Sequence, residues 1–263
     1  MIKCKLAFSG ANLVTTQEVM PCCGLDTGKF NYSDNGSLSL ENKINSKGLL
    51  EIREKLLADE WHPACKLCED ATKGNYPSMM SAWNKTLEEF EPDYKSNIDL
   101  HNLKEMSITL DSICNSRCIT CGPGASSQWM HEVIELDHSQ KLKRIMSTGF
   151  GDEIEFGKDS VDEFIEKCSN VQYLTLYGGE PTVSPNYEYL VDKLIETGRS
   201  KDINLSTTSN LTNISNKLID KWKKFQSTHI TLSIDGVGKT NEYIRCLYLN
   251  QVDFKFLGQI ILK

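Results

Sequence analysis

After residue 100 the hydrophobic pattern keeps switching between two periods, and that alternation restricts the fold more than any other feature of this chain. "EMSITLD" sets Met106, Ile108 and Leu110 two apart, the spacing of a strand with one buried face. "VQYLTLYGGEP", "DINLSTTSN" and "HITLSIDG" are further strand-length runs that end in turn residues. Between them lie three helical stripes with apolar residues three and four apart. These are Val161, Phe164, Ile165 and Cys168; then Tyr187, Leu190, Val191, Leu194 and Ile195; then Leu218, Ile219, Trp222 and Phe225. A further helix is expected after "CGPGASSQW". Strands joined through helices pair in parallel, because a crossover returns the chain to the same end of the sheet. The class expected is α/β, with a parallel sheet either open or closed into a barrel.

Residues 1–98 lack this alternation. "SGANLVTTQEVMPCCG" reads as short strands and turns. "SKGLLEIREKLLADEW" predicts a helix with Leu49, Ile52, Leu56 and Leu57 on one face and Ser46 as its cap. "SAWNKTLEEFEPDYKSN" reads as a connector, because Pro92 and polar residues interrupt any period. The expected division is a small, irregular, cysteine-rich module over 1–98 and a strand–helix domain over 99–263. Core strands are expected near 106–111, 172–177, 203–207 and 229–234, with "FKFLGQIILK" as a candidate fifth. So few strands imply an incomplete barrel with an unpaired edge, to be covered by a partner or left exposed.

The cysteines stand at positions 4, 22, 23, 65, 68, 114, 118, 121, 168 and 246. The start, "MIKCKLAFSGANLV", lacks the apolar core and cleavage site of a secretion signal. No apolar run reaches the length of a membrane span. The compartment expected is the cytoplasm, where disulfides do not persist and clustered cysteines point to metal or redox chemistry. A net charge of −7 argues against a nucleic-acid surface, which relies on clustered Lys and Arg. With 39% apolar residues the chain can bury a substantial core.

"CNSRCITC" packs Cys114, Cys118 and Cys121 into the loop after the first of these strands. Loops at the carboxyl ends of parallel strands hold the active sites of such folds. A structural zinc site wants four ligands. Three thiolates instead suit three corners of a cubane iron–sulfur cluster, with the fourth iron open to a small molecule.

Cys-x3-Cys-x2-Cys after a first strand resembles the signature of radical S-adenosylmethionine (SAM) enzymes. The likeness extends to "YGGEP", similar to that family's Gly-Gly-Glu-Pro motif, and to "TTSNLT", "LSIDG" and "NEYIR" in later strands and turns. The resemblance implies a TIM-like partial (β/α) barrel. It also implies a [4Fe-4S] cluster on Cys114, Cys118 and Cys121, with SAM on the fourth iron. Reductive cleavage of SAM to a 5′-deoxyadenosyl radical and hydrogen abstraction follow. Gly178, Gly179, Glu180 and Pro181 are implied to meet the SAM amino group. Thr208 and Asn210 are implied near the ribose, with Ser233, Asp235 and Arg245 as further contacts. A reductant such as flavodoxin or ferredoxin is implied as electron donor. This chain departs from the pattern at Thr120, where many members place an aromatic residue beside the adenine.

The first seventy residues carry a second set: Cys4, Cys22 and Cys23 in "MPCCG", and Cys65 and Cys68 in "HPACKLCED". They resemble the twitch or SPASM-type module of radical SAM enzymes, here ahead of the barrel. That likeness implies an auxiliary [4Fe-4S] cluster on Cys4, Cys22, Cys65 and Cys68, and a peptide or protein substrate. A structural zinc on the same residues stays open, since metal binding can supply folding energy to a module with few apolar residues. Two other functions also stay open: a non-catalytic zinc-binding interaction protein, and a radical SAM enzyme acting on RNA. Cys168, on an apolar face, is expected in the core, and Cys246 is expected to be structural. His62, three residues before Cys65, stands out among histidines that otherwise form no ligand pair. Trp129 and Trp222 are expected on helix core faces.

Overall fold

The computed structural model describes residues 1–14, 19–26, 39–136 and 156–245. The candidate strand "FKFLGQIILK" and Cys246 lie outside these residues. Six described strands form one sheet: β1 Gly10–Leu13, β2 Val19–Met20, β3 Glu105–Thr109, β4 Tyr173–Tyr177, β5 Asn204–Ser209 and β6 Ser227–Leu232. Their order across the sheet is β2-β1-β3-β4-β5-β6. β1 runs antiparallel to β2 and parallel to β3, and β5 runs parallel to β6. The architecture is α/β, as the alternation requires. All four strands expected after residue 100 are present.

The chain divides into two compact units, one of Met1–Ile108 with Asp162–Tyr173, the other of Thr109–Val161 with Leu174–Lys263. In the first unit the short strands expected in "SGANLVTTQEVMPCCG" are β1 and β2, and they join the main sheet instead of belonging to a separate irregular module. Gly10 pairs in register with Glu105 and Leu13 with Ile108. A four-residue run that is buried on both faces has no alternation to betray it. The helices of this unit are α1 Lys5–Ser9, α2 Leu40–Ile44, α3 Lys47–Leu57, α4 Lys66–Lys73 and α5 Met79–Thr86. α3 buries Leu49, Ile52 and Leu56 as its period predicts, and also Arg53. The Arg53 guanidinium gives hydrogen bonds to the carbonyls of Ala7, Ile44 and Ser96 at 2.8–3.0 Å and to Asn45 Oδ1. Burial lowers its pKa to about 10. α5 replaces the first part of the expected connector. Ser78 and Ser81 close a reciprocal capping box there, satisfying the first amides of the helix.

In the second unit, α6 Ser127–Leu136 follows the cysteine loop. α7 Lys158–Lys167 begins here and continues into the first unit, where Phe164 and the following Cys168 are buried. α8 Pro185–Glu196, α9 Asn216–Trp222 and α10 Lys239–Arg245 complete the set. α8 buries Tyr187, Leu190, Val191 and Leu194, and the Trp222 indole donates to Tyr187 Oη at 2.8 Å. Among the described residues no helix is long and apolar enough to cross a membrane.

Candidate active site

Three loops at the carboxyl ends of β3, β4 and β5 are bound to one another by hydrogen bonds. Beyond β3, the chain past Leu110 is fixed to the turn after β4 through the backbone. Leu110 N donates to Tyr177 O at 3.0 Å, Gly179 N to Asp111 O at 3.0 Å, and Glu180 N to Ile113 O at 2.8 Å. This ladder explains both glycines of "YGGEP". A β-carbon on Gly179 would stand 2.4 Å from the Ile113 carbonyl oxygen, and one on Gly178, whose φ is +156°, 2.8 Å from Asp111 O. The two backbones meet where only glycine leaves room.

Asp111, which the sequence reading did not single out, anchors the start of the cysteine loop. It is buried; Oδ1 accepts from Ile113 N at 3.0 Å, while Oδ2 accepts from the Ser184 hydroxyl and from Asn186 Nδ2. Ser184 also caps α8 by accepting from Asn186 N and Tyr187 N. A polar residue just past an apolar strand was the available signal, but such positions usually belong to turn chemistry.

Glu180 is 2% exposed, and four protein groups donate to its carboxylate. Oε1 accepts from Thr182 N, Thr182 Oγ1 and Ser209 Oγ at 3.2, 2.6 and 2.8 Å, and Oε2 from Asn210 N at 2.6 Å. The motif carboxylate thus fastens the β4 turn to the end of β5. Asn210 carries the link onward: its Nδ2 donates to Asn115 Oδ1 at 2.9 Å and to Ser116 Oγ at 3.0 Å, inside the cysteine loop. Leu211 follows with φ +64°, in the left-handed region that favours glycine, and its amide donates to Ser209 Oγ. Thr208 is half-buried beside Thr231 of β6 and takes no part in these ties. Pro181 is buried and starts the turn that Glu180 caps.

Cys114 and Cys118 are buried and Cys121 is exposed. Ser116 N donates to Cys114 Sγ at 3.4 Å, and Arg245 Nη1 lies 3.9 Å from Cys118 Sγ, the outer reach of a hydrogen bond to sulfur. The Cys118 carbonyl accepts from the Trp129 indole at 2.8 Å and from Cys121 N at 3.0 Å. Trp129 is half-buried, and its N–H holds the loop, a task its helical stripe did not announce. Burial raises the pKa of Cys114 and of Cys118; at Cys118 the Arg245 charge opposes the rise. Arg245 Nε lies 2.6 Å from Asp235 Oδ2, and the Asp235 backbone amide donates to Asn241 Oδ1 at 2.9 Å. Ser233 N donates to Ser209 O at 2.9 Å. Ile119 N donates to Ile244 O at 2.8 Å, so the end of α10 is fastened to the cysteine loop.

In the first unit Cys4, Cys22, Cys65 and Cys68 line one cavity of about 30 Å³ with apolar walls that include Leu6, Ile52, Trp61 and Met79. Cys23 is exposed and not among the lining residues. Burial raises Cys4 to about 11 and Cys65 to about 12, and pushes Cys22 up as well; nearby cysteine charges add to each rise. Cys65 stands at the N-cap position of α4, with no hydrogen bond from its side chain to the helix, and Cys68 sits in the first turn. His62 Nδ1 accepts from Ala64 N at 3.1 Å, capping the turn that presents Cys65, and burial lowers its pKa.

Among the described residues no three His, Cys, Asp or Glu side chains are already gathered around a single metal position. The donor set nevertheless fits an iron–sulfur cluster at the 114–121 loop. Its sulfurs are soft ligands on one short loop, and N–H groups point at two of them, as anionic thiolates require.

An α/β sheet with three cysteines on a loop at the carboxyl end of a parallel strand, laced to a glycine turn, defines a class of cluster-dependent enzymes. The profile of the Radical SAM superfamily matches residues 108–249, more than half of the chain, and the chain belongs to that superfamily. Membership brings with it a [4Fe-4S] cluster and SAM as cofactors. A search of the curated proteins found no match.

Proposed function

We propose that this chain is a radical SAM enzyme in which Cys114, Cys118 and Cys121 ligate the [4Fe-4S] cluster and a peptide or protein is the substrate. When bound, the cluster supplies the electron that splits SAM into methionine and a 5′-deoxyadenosyl radical, which takes a hydrogen atom from the substrate. The observation that carries this reading is the backbone ladder from Asp111 and Ile113 to Gly179 and Glu180. It fixes the cysteine loop against the turn to which the family likeness assigns the SAM amino group. Among the described residues Glu180 Oε2 accepts from Asn210 N, and a carboxylate oxygen has a second lone pair that an ammonium can use. Asn210, Thr208, Ser233, Asp235 and Arg245 are assigned to the rest of the SAM site on the same likeness. The electron donor is a flavodoxin- or ferredoxin-like reductant.

Residues 1–98 form a twitch- or SPASM-like module with an auxiliary [4Fe-4S] cluster on Cys4, Cys22, Cys65 and Cys68. Their shared cavity supports a common metal. The same four thiols support a second reading, a single zinc ion, because four cysteine sulfurs are the ligand set of a closed structural zinc site.

The test is anaerobic reconstitution with iron and sulfide analysis and measurement of 5′-deoxyadenosine. Replacing Cys114, Cys118 and Cys121 together by Ala removes about four irons per chain and abolishes 5′-deoxyadenosine formation. Unchanged product formation in that variant overturns the assignment. One zinc and only four irons in the purified protein selects zinc for the N-terminal site.

A further inference from the structure

Arg245 has a position that SAM binding alone does not account for. Its guanidinium reaches toward Cys118 Sγ through Nη1, while Nε forms an ion pair with the Asp235 carboxylate at 2.6 Å without the alignment of a hydrogen bond. The side chain is 16% exposed, so its charge is only partly screened by water. The end of α10 is secured on the loop by the Ile119–Ile244 backbone bond, and Asp235 is steadied through Asn241, which is 3% exposed. A cation is thereby aimed at one cysteine sulfur, and a carboxylate orients it and offsets part of its charge.

We infer that Arg245 is a positioning and tuning residue that raises the reduction potential of the cluster through the Cys118 sulfur, with Asp235 limiting the effect. The inference rests on the reading of Cys114, Cys118 and Cys121 as cluster ligands. A cluster with three thiolates is net negative and gains a further negative charge on reduction. A donor cation at one sulfur stabilises the reduced form more than the oxidised one, because potentials follow net charge and hydrogen bonds to sulfur. The Asp235 carboxylate acts in the opposite sense.

The experiment is a redox titration of the anaerobic holoprotein, following the electron paramagnetic resonance signal that changes on adding SAM. Arg245→Gln shifts the midpoint to more negative potential. Asp235→Asn shifts it to more positive potential. Trp129→Phe, which removes an N–H from the Cys118 carbonyl without changing charge, shifts it less than either. General loosening of the loop would move the first two variants in the same direction, and that result overturns the inference. An unchanged midpoint in Arg245→Gln, with the SAM-responsive signal intact, also overturns it while leaving the cluster assignment standing. If the native protein has no SAM-responsive signal, and the triple cysteine variant loses no iron, the cluster assignment itself fails and this inference with it.

Discussion

A methyl group added at Gly179 meets backbone oxygens of the cysteine loop at 2.4 and 2.7 Å, whereas one added at Gly122 meets nothing within 4 Å. The two positions therefore answer the same substitution differently. Gly179→Ala is expected to cost about 1–3 kcal/mol, the usual range for overpacking, and to weaken iron retention. Gly122→Ala is expected to change stability by less than about 0.5 kcal/mol. Denaturant midpoints of the two variants check this pair, and equal losses refute it. Leu211 gives a second contrast. Its left-handed backbone costs about 1–2 kcal/mol for a residue with a β-carbon, while its buried side chain returns about 1.5–3 kcal/mol. Leu211→Ala keeps the strain and loses most of the burial; Leu211→Gly loses the burial but releases the strain. The glycine variant is expected to be the more stable of the two by about 1 kcal/mol in urea unfolding, the reverse of the order in a helix. An alanine variant as stable as the glycine one would show that the strain is relieved elsewhere.

At the scale of elements, the start of β3 holds a carboxylate with no cation among its principal influences. Glu105 is 4% exposed, accepts from Ser107 Oγ at 2.6 Å, and has its pKa raised to about 7, chiefly by burial. Between pH 4.5 and 7 the folded chain binds this proton and the unfolded chain has released it, so stability falls as pH rises through that window. The loss is on the order of 3 kcal/mol by pH 8 and is absent in Glu105→Gln. Stability curves of the two proteins that stay parallel from pH 4.5 to 8 would refute the expectation. The elements legible in the sequence were those with a one-sided pattern. The stripe of α8 and the apolar run of β4 give themselves away because one face must leave water. The short strands of "SGANLVTTQEVMPCCG" were readable, but the place of β1 in the main sheet was not, because a strand buried throughout has no one-sided pattern; α5, whose start is set by two serines, has none either. Arg53 stands on the buried face of α3 because backbone carbonyls satisfy it, and those are invisible in a list of side chains. At the site, the cysteine spacing and "GGEP" were readable. The ties through Asp111, Ser209 and Asn210 were not, because they depend on which loops come together.

For the whole molecule, the second cysteine set bears on how the first unit is stabilised. α1, which carries Cys4 at its cap, is held to α3 by the Arg53–Ala7 bond, and α4 presents Cys65 and Cys68 with no buried residue of its own. Salt bridges Lys66–Asp70 and Lys73–Glu69 on α4 are largely exposed and contribute little. On the proposed reading of a metal at these cysteines, the helix relies on that metal. Stripping the metal is expected to raise hydrogen exchange of the amides in 61–73 by at least tenfold, corresponding to about 1.4 kcal/mol, with little change over 204–209 and 227–232. Equal protection with and without metal over 61–73 would remove the metal from the stability of this unit.

The contact between Arg245 and Cys118 spans 127 positions of sequence. On a ribosome that adds about 5–20 residues per second, the cysteine loop waits roughly 6–25 s for Arg245 to be synthesised. Glu180 and Asn210 arrive within that interval, so the loop is fastened in stages. The sulfurs are therefore open to oxidants, and to iron delivery, before they are held in place.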